Sequence, residues 1–298
     1  MDKLVILRRR KLGMSSAKGI AEKSATGIRW TRNDFEADRQ PHEDEVCIRW
    51  GCTSNIATKR VINTARAIHQ VNDKGAFRML LDEHELCPRT FTTLEQIIDA
   101  MEPDDEGDFM ATEFKDGKIF MRPSRHAQGR NIHICNNMHE VVEAIKKCGI
   151  GWYASELVPK EREFRVCVVQ GRVAWVAEKT PADKNAIAWN VAQGGRFDNV
   201  RWGDWPLKAV HYAVEAFELS ELDFGGVDIM IDDQGDPYVI EINSAPSLTS
   251  DYRQQCMAKC FDYIAEHGKA RIPRVEQRGD WKKFIHPALS DRTLMVNA

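Results

Sequence analysis

The chain has 298 residues, of which 43% are hydrophobic and 29% charged, and its net charge is -3 at pH 7. This length predicts a globular protein with roughly two or three lobes around a shared cleft. The composition excludes a membrane-spanning segment, since no stretch approaches the roughly 20 apolar residues that cross a bilayer, and the small negative charge provides no general attraction to nucleic acid.

The N-terminus and the cysteines both indicate a cytoplasmic protein. In residues 1–10 a short apolar run precedes a basic cluster, which is the reverse of the order in a secretory signal. The eight cysteines, at positions 47, 52, 87, 135, 148, 167, 256 and 260, include no C-x-x-C pair. Neither a zinc knuckle nor a redox motif is therefore predicted. We expect reduced thiols, with Cys256 and Cys260 as buried core residues that could share a helix face.

The first predicted elements are two short buried strands, residues 4–7 and 46–50, which we place in one sheet. A polar, charged stretch lies between them. From Ile56 the pattern becomes helical, with apolar residues at Val61, Ala65 and Ile68. Asn72-Asp73 then caps a helix that begins near Lys74.

Residues 73–148 are predicted to form a compact α+β lobe. Two short strands, 109–114 and 118–122, are joined by an Asp-Gly sequence that is typical of a hairpin turn. A third strand at 132–134 precedes a helix at 138–148, where apolar residues recur at helical spacing.

A second sheet lobe follows in the remaining body of the chain. Its predicted strands have alternating or continuous apolar patterns and span residues 164–169, 173–177, 227–231 and 238–242. A helix is predicted at 207–219. The tail after Gly268 is basic and punctuated by proline, so that it either wraps the body or stays mobile.

The most informative segment is the hairpin formed by the last two of these strands. A turn centred between Gln234 and Gly235 sets the cross-strand register. Three pairs follow from it: Asp228 with Glu241, Met230 with Val239, and Gly226 with Asn243. Strand alternation then places Asp228, Glu241 and Asn243 on one face. The other face carries four aliphatic residues: Val227, Ile229, Ile240 and Ile242.

The polar face of this hairpin predicts a magnesium site. Two carboxylates about 5 Å apart repel each other unless a cation neutralises them. Oxygen ligands of this kind suit Mg²⁺, which bridges protein carboxylates and nucleotide phosphates. The alternative is a hairpin whose polar face meets only water. The flanking residues are too apolar for such a plain surface, which favours a site formed by Asp228, Glu241 and Asn243.

Residues 226–250 resemble the metal-binding end of the ATP-grasp superfamily and are especially similar to D-alanine:D-alanine ligases. In that family an aspartate, a glutamate and an asparagine in a D-(about 12)-E-x-N pattern hold one or two Mg²⁺ ions on ATP, which maps onto Asp228, Glu241 and Asn243. The resemblance implies an α+β and α/β chain with the ATP-grasp fold, in which two α+β lobes clamp ATP and a small Rossmann-like lobe precedes them. The implied boundaries are 1–71 for the N-terminal lobe, 72–150 for the central lobe, 151–268 for the C-terminal lobe with the metal site, and 269–298 for the tail.

The same resemblance implies two phosphate-binding cations. Lys74 stands ahead of a helix, as a lysine commonly does in the family, and Arg122 occupies the strand end where lysine is usual. An arginine still donates to phosphate, but its planar fork cannot copy the point contact of a lysine. The loop 124–131 resembles the family's phosphate-covering loop, but it holds one glycine, Gly129, where the family tends to have several. His126 or Arg130 could share the phosphate contact with Arg122.

Further nucleotide-binding residues are implied at the hinge between the lobes. Glu156, Leu157 and Val158 are similar to the segment whose backbone groups read adenine. Glu163 fits the glutamate that holds the ribose, because one carboxylate can accept hydrogen bonds from two hydroxyls. Met230 completes the set of candidate nucleotide-binding residues.

The predicted catalytic residues are Arg165, Lys179 and Asn190, which resemble positions that glutathione synthetases and related ligases use around the transferred phosphate. Lys179 replaces the usual arginine. Phosphoryl transfer spreads negative charge over the equatorial oxygens, and cations placed in advance lower the barrier. The alternative is an alternating strand with outward basic residues.

Together these features predict an ATP- and Mg²⁺-dependent ligase, with one or two Mg²⁺ and Mn²⁺ as a substitute, that joins a carboxylate to an amine through an acyl-phosphate. The expected partners are small-molecule or peptide substrates, without a membrane or nucleic acid. Because related ligases are often dimers, a homodimer is also expected.

Two other functions remain open from the sequence. An ATP-grasp kinase or phosphotransferase would stop before any amine reacts. A regulatory or nucleic-acid-binding protein that senses ATP is suggested by the basic run at residues 8–11 and by dispersed tryptophans: Trp30, Trp50, Trp202 and Trp205. The dispersion of these tryptophans disfavours that alternative.

Overall fold

The computed structural model describes residues 1–10, 13–33, 39–110, 114, 116–124, 131–183, 186–187, 189, 194–269 and 281–290. Three sheets follow one another along this part of the chain, and the described helices pack around them. We call them the N-terminal, central and C-terminal sheets. The predicted mixed α/β architecture is confirmed.

The N-terminal sheet has four parallel strands in the order β2-β1-β3-β4. The strands are β1 Leu4–Arg8, β2 Arg29–Arg32, β3 Val46–Trp50 and β4 Val61–Ile62, with helix α1 Met14–Lys23 after β1 and helix α2 Ala65–Asn72 after β4. The two predicted strands do pair in one sheet. The helix predicted from Ile56 was wrong, because Val61 lies in β4 and the helix begins only at Ala65, where the Thr64 side chain caps it.

The central sheet is antiparallel, in the order β5-β8-β6-β7. Its strands are β5 Thr90–Phe91, β6 Ile119–Pro123, β7 His133–Cys135 and β8 Trp152–Glu156; its helices are α3 Lys74–Glu83, α4 Leu94–Met101 and α5 Met138–Cys148. Asp73 caps α3 as predicted. The strand predicted at 109–114 is wrong: β8 and β7 occupy both edges of β6, and Phe109 and Met110 are not in a strand. Residues 111–113 lie outside the described residues.

The C-terminal sheet has five antiparallel strands in the order β11-β10-β9-β12-β13. The strands are β9 Lys160–Val169, β10 Arg172–Thr180, β11 Arg196–Asn199, β12 Phe224–Asp232 and β13 Pro237–Asn243, and the helices are α6 Leu207–Leu219 and α7 Asp251–His267. Cys256 and Cys260 are buried on α7, in agreement with the prediction that they are core thiols.

The β12–β13 hairpin has the predicted register at its functional end. Asp228 lies opposite Glu241, and Gly226 lies opposite Asn243. The predicted pair of Met230 with Val239 is wrong, because a bulge leaves Ile240 as an extra residue and brings Tyr238 opposite Met230. The bulge also makes Val239 the buried residue in place of Ile240, whose carbonyl accepts a hydrogen bond from Arg78 Nη1 at 3.0 Å.

The N-terminal and C-terminal sheets share one hydrophobic core, which also takes in Phe77 and Leu81 of α3. The Trp50 ring stacks on Phe224 across this core, with ring centroids 5.1 Å apart. The central sheet has a separate core. Part of the tail, residues 281–290, packs against β10 through a bridge between Ile285 and Val173. None of the described helices has the length and apolar composition needed to cross a membrane.

Candidate active site

One face of the C-terminal sheet brings the predicted site residues together. Asp228 on β12 lies between Arg165 on β9 and Glu241 on β13 in the strand pairing, and Met230 lies opposite Glu163. Lys179 on β10 contacts both Glu163 and Asp228. These residues belong to separate strands, and alternate positions of each strand share a face of the sheet. The antiparallel order of strands therefore assembles the site.

Asp228 is the centre of a buried ion-pair network. Arg165 donates to it in a bidentate arrangement, with Nε to Oδ1 at 2.6 Å and Nη2 to Oδ2 at 2.8 Å, and Lys179 Nζ donates to Oδ2 at 3.1 Å. Burial by itself raises the pKa of the Asp228 carboxyl, but the attraction and hydrogen bonds of Arg165 and Lys179 outweigh it, so that this pKa lies well below its usual range. Asp228 is therefore ionised at neutral pH.

Glu163 continues this network through Lys160, a residue that the sequence interpretation missed. Lys179 contacts one oxygen of Glu163, and Lys160 Nζ donates to the other at 2.5 Å. Strict alternation would place Lys160 on the opposite face from Glu163. The pairing of β9 with β12 shifts between Ile231 and Asp232, which leaves Glu161 as an extra residue and turns Lys160 toward Glu163. Nothing in the local sequence indicates this bulge.

Lys160 also contacts the segment that follows β10. Its Nζ donates to the Ile187 carbonyl at 3.2 Å and lies 4.3 Å from the centroid of the Trp189 ring. Burial lowers the pKa of Lys160, although the neighbouring Glu163 carboxylate acts against this effect. Lys160 thus links the predicted ribose-binding glutamate to Ile187 and Trp189.

Glu241 is held by one residue of helix α3 and one residue of its own strand, β13. Lys74, the first residue of α3, forms an ion pair with its Oε2, and Asn243 Nδ2 donates to its Oε1 at 3.0 Å. Burial raises the pKa of Glu241, but the attraction and hydrogen bond of Lys74, together with the hydrogen bond from Asn243, outweigh it, so that this pKa lies below its usual range. The amide of Asn243 is oriented so that its nitrogen faces Glu241, which leaves its oxygen as a ligand atom.

The donor set fits Mg²⁺. Asp228, Glu241 and Asn243 present two carboxylates and one amide, all of them hard oxygen ligands. Within the described part of the chain, no group of three or more His, Cys, Asp or Glu side chains could hold a metal ion by itself. Such a site suits a cation that takes its remaining ligands from nucleotide phosphates and water, as Mg²⁺ does.

Arg122, on β6 of the central sheet, lies close enough to Glu241 for the two charges to attract each other. It is 8% exposed, and burial lowers the pKa of its guanidinium, whereas Tyr153 and the Glu241 charge act in the opposite direction. Its strand end lies against the start of α3, since a Cβ added to Gly75 would lie 2.9 Å from Ser124 Oγ. Lys74 and Arg122 therefore meet the C-terminal sheet from the side of the central sheet.

The predicted hinge residues connect these two sheets. Glu156 ends β8, and β9 begins at Lys160. The backbone N–H groups of Glu156 and Leu157 donate to the carbonyls of Arg89 and Lys118, at 3.1 and 2.9 Å, and Val158 is buried. These bonds fix the path of the segment between the two sheets.

Phe197 and Arg253 are two further residues that the sequence interpretation missed. The Phe197 ring on β11 has three cations near it, with Arg165 at 4.7 Å, Arg253 at 5.4 Å and Lys179 at 5.5 Å from its centroid. Arg253, from the first turn of α7, donates to Asn199 Oδ1 at 2.7 Å and to the Phe197 carbonyl at 2.8 Å. The pair is more than fifty residues apart in the chain, and nothing in the local sequence marks it.

Asn190, the third predicted catalytic residue, lies outside the described residues, as do Gly129, His126 and Arg130 of the predicted phosphate-covering loop. Among the site residues that the structure describes, cations outnumber carboxylates. The cations are Lys74, Arg78, Arg122, Lys160, Arg165, Lys179 and Arg253, and the carboxylates are Glu156, Glu163, Asp228 and Glu241. This excess of positive charge suits a polyanion such as a triphosphate.

Comparison with known proteins agrees with this geometry. Residues 116–259 match the family described as a RimK-like ATP-grasp domain. This segment is similar to an ATP-grasp domain. A sequence search of curated proteins returned no match. The match confirms the resemblance found from the motifs, and the family supports ATP-dependent ligation as the class of reaction.

Solved ATP-grasp structures have the same fold at low sequence identity. A Chryseobacterium gregarium RiPP-associated ATP-grasp ligase in complex with ADP and a leader and core peptide has a TM-score of 0.60 and 14% identity, covering 92% of this chain and all of that one. The macrocyclase MdnC bound with precursor peptide MdnA from Microcystis aeruginosa has a TM-score of 0.58 and 13% identity. The match covers 86% of this chain and 98% of that one. The D-alanine–D-alanine ligase of Bacillus anthracis has a TM-score of 0.57 and 10% identity. The match covers 84% of this chain and 88% of that one. The predicted ATP-grasp fold is confirmed. The Rossmann-like description of the N-terminal lobe and the four domain boundaries stay predictions.

Proposed function

We propose that this protein is an ATP- and Mg²⁺-dependent ligase that joins a carboxylate to an amine through an acyl-phosphate. The observation that carries the proposal is the cluster of opposite charges on one face of the C-terminal sheet. Arg165 and Lys179 are held by the Asp228 carboxylate, which lies directly opposite Glu241. Phosphoryl transfer is catalysed by such positioning and charge, without a protein nucleophile.

The metal site in this proposal consists of Asp228, Glu241 and Asn243. Arg165, Lys179 and Lys74 keep the two carboxylates ionised before the cation arrives, so that no proton has to be displaced. When bound, Mg²⁺ would neutralise charge on the phosphates of ATP. Mn²⁺, which also accepts oxygen ligands, is the expected substitute.

The nucleotide would lie between the central and C-terminal sheets. Lys74 and Arg122 are the proposed phosphate contacts, because Lys74 pairs with Glu241 and Arg122 lies within the influence of the Glu241 charge. Glu163 would accept the ribose hydroxyls, with Lys160 and Lys179 fixing the position of its carboxylate. The hinge residues Glu156, Leu157 and Val158 would contact adenine, together with Met230, which lies opposite Glu163.

The proposed reaction has two steps. An oxygen of the substrate carboxylate attacks the γ-phosphorus of ATP, the bond to the β-phosphate oxygen breaks, and ADP leaves. The amine then attacks the acyl carbon, phosphate leaves with the bonding electron pair, and nitrogen loses a proton to form the amide. Arg165, Lys179 and Asn190 would stabilise the transferred phosphate in both steps. The cysteines have no role in this scheme, and burial raises the pKa of Cys256 to about 12.

The proposed substrates are small molecules or peptides. Two structural neighbours contain peptides, a leader and core peptide in one and precursor peptide MdnA in the other, which supports a peptide as a candidate. A cytoplasmic location and a homodimer are also proposed, on the sequence arguments given above.

A trapping experiment tests the mechanism. The full chain is incubated with ATP, Mg²⁺, hydroxylamine and a panel of amino acids and dipeptides whose carboxylates carry ¹⁸O. We expect an acid-dependent hydroxamate, with release of ADP and transfer of one ¹⁸O to phosphate. Asp228→Asn should abolish the product, whereas Asp233→Asn, at the exposed turn of the same hairpin, should not.

Other outcomes would identify the alternative functions. A product that keeps the phosphate would show a kinase. Binding of oligonucleotides without any release of ADP would show a nucleic-acid-binding protein.

A further inference from the structure

A single bulge lets strand β13 serve the core and the proposed site at once. Asp228 pairs with Glu241, but its neighbour Ile229 pairs with Val239, which leaves Ile240 as an extra residue. Val239 and Ile229 are both fully buried, whereas Glu241 lies with Asp228 at the site. In a regular strand Val239 and Glu241 would share a face, because side chains alternate. The bulge therefore frees Glu241 for the site while Val239 stays in the core.

The backbone of this bulge is held from outside the sheet. β13 is the edge strand of the C-terminal sheet in the described part of the chain. The Val239 N–H donates to the Leu86 carbonyl at 2.8 Å, and the Ile240 carbonyl accepts from Arg78 Nη1 at 3.0 Å. The extra residue of a bulge leaves the strand ladder, and its backbone groups need other partners. Helix α3 and the segment after it supply these partners.

Lys74 and Arg78 present one face of α3 to β13. They are four residues apart, which places them on the same side of the helix in successive turns. Lys74 forms an ion pair with Glu241, and Arg78 bonds to the preceding residue, Ile240. Two consecutive residues of the strand are thus held by two consecutive turns of the helix.

Arg78 is buried for the sake of this one carbonyl. Its side chain is 6% exposed, and its Cζ lies 5.5 Å from the centroid of the Tyr153 ring. The bond to Ile240 is the one hydrogen bond that its side chain forms within the described residues, and its Nε has no partner there. Taking a guanidinium out of water is costly, and one carbonyl offsets only part of that cost. An apolar side chain would serve stability better, so the bond to the bulge is what distinguishes arginine at this position.

We propose that Arg78 is a positioning residue for the proposed metal site: its bond to the Ile240 carbonyl holds the bulge that directs the Glu241 carboxylate toward the cation. The inference rests on the proposed function, because it assigns a role at the same site. Without this bond the Ile240 carbonyl loses its partner, and the strand relaxes toward regular alternation, which turns Glu241 away from Asp228. Lys74 still attracts Glu241 in that case, so the metal site is weakened and not abolished.

The affinity of the full chain for ADP, measured by calorimetry with and without Mn²⁺, tests this role. The ratio of the two affinities reports how strongly the protein holds the metal on the nucleotide. Arg78→Met keeps an apolar stem against Tyr153 and removes the donor. We expect this variant to lower the ratio by about 10-fold, the lower end of the range for a hydrogen bond from a charged group. The affinity for ADP without metal should be unchanged, because Arg78 acts through the strand and not on the nucleotide.

Two further variants separate position from fold. Arg78→Lys keeps a charged donor and should regain part of the ratio. Arg66→Met is the matched control: Arg66 is an exposed arginine on α2 that pairs with Glu221, ahead of β12, and its loss should leave the ratio at the wild-type value. Urea unfolding of every variant is measured in parallel. If Arg78→Met does not fold, Arg78→Lys carries the test, with a ratio below that of wild type expected.

An unchanged ratio in folded Arg78→Met, or in Arg78→Lys where the methionine variant does not fold, would overturn the inference. An equal loss of ADP affinity with and without Mn²⁺ would assign Arg78 to the phosphates and would overturn it as well. Wild type is measured first. ADP binding that does not respond to Mn²⁺ refutes the proposed metal site and with it the proposed function, whereas a normal response in wild type with no effect of Arg78 refutes only this inference.

Discussion

Lowering the pH from 7.5 to 5 should destabilise the protein through His286, which lies in the tail segment that packs against β10. His286 is fully buried, its Nδ1 accepts a hydrogen bond from the Ala288 backbone at 3.2 Å, and its backbone N–H donates to the Val173 carbonyl at 3.1 Å. Burial, with a smaller contribution from the nearby Arg172 charge, lowers the pKa of His286 from 6.5 to about 4. The folded protein thus holds this imidazole neutral.

The sign and size of the effect follow from this pKa. Between pH 6.5 and about 4 the unfolded chain binds more protons than the folded one. The contribution of His286 is therefore fully present above pH 6.5 and is lost as the pH falls toward 4. The pKa difference corresponds to about 3 kcal/mol of unfolding free energy, of which about 2 kcal/mol is lost at about pH 5.

Urea unfolding at pH 7.5 and pH 5 measures this contribution. His286→Asn removes the titrating group, while the Asn Oδ1 can still accept from the Ala288 N–H. We expect the variant to lose about 2 kcal/mol less than wild type between the two pH values. His139→Asn, at an exposed histidine on α5, should behave as wild type. Equal losses in wild type and His286→Asn would refute the reasoning.

Three further predictions concern packing and the nucleotide site. Asp262 accepts four hydrogen bonds from the loop after α1. Asp262→Asn should therefore lower the free energy of unfolding by about 2 to 3 kcal/mol. An unchanged urea midpoint of this variant would contradict the prediction. Gly226→Ala should reduce kcat for ADP release by roughly 10- to 100-fold, because the added methyl displaces the neighbouring arginine. Gly203→Ala, in open space, is the control, and an equal effect of the two substitutions would count against this explanation. Lys160→Met should raise the KM for ATP by about 10-fold with kcat nearly unchanged, because Glu163 loses a charge-assisted hydrogen bond. A fall in kcat alone would indicate a different role for Lys160.

The sequence predicted elements best where a local signal was strong. The helices α5 and α6 have the predicted bounds, because apolar residues recur at helical spacing through each of them. The carboxylate pair Asp228 and Glu241 was predicted because a single turn sets the register of a hairpin. Predictions failed where a local irregularity intervened, as at the bulge that removed Met230 from Val239.

Local sequence determined the residue types at the site, but only the tertiary structure decided their partners. The Asp228 carboxylate lies on β12, and its partners Arg165 and Lys179 come from β9 and β10. Their meeting depends on the order of strands in the sheet, which no short segment specifies. A bulge brought Lys160 to Glu163, and the packing of α7 brought Arg253 to Phe197. Such contacts join residues far apart in the chain, because backbone pairing and core packing, rather than spacing, determine which side chains become neighbours.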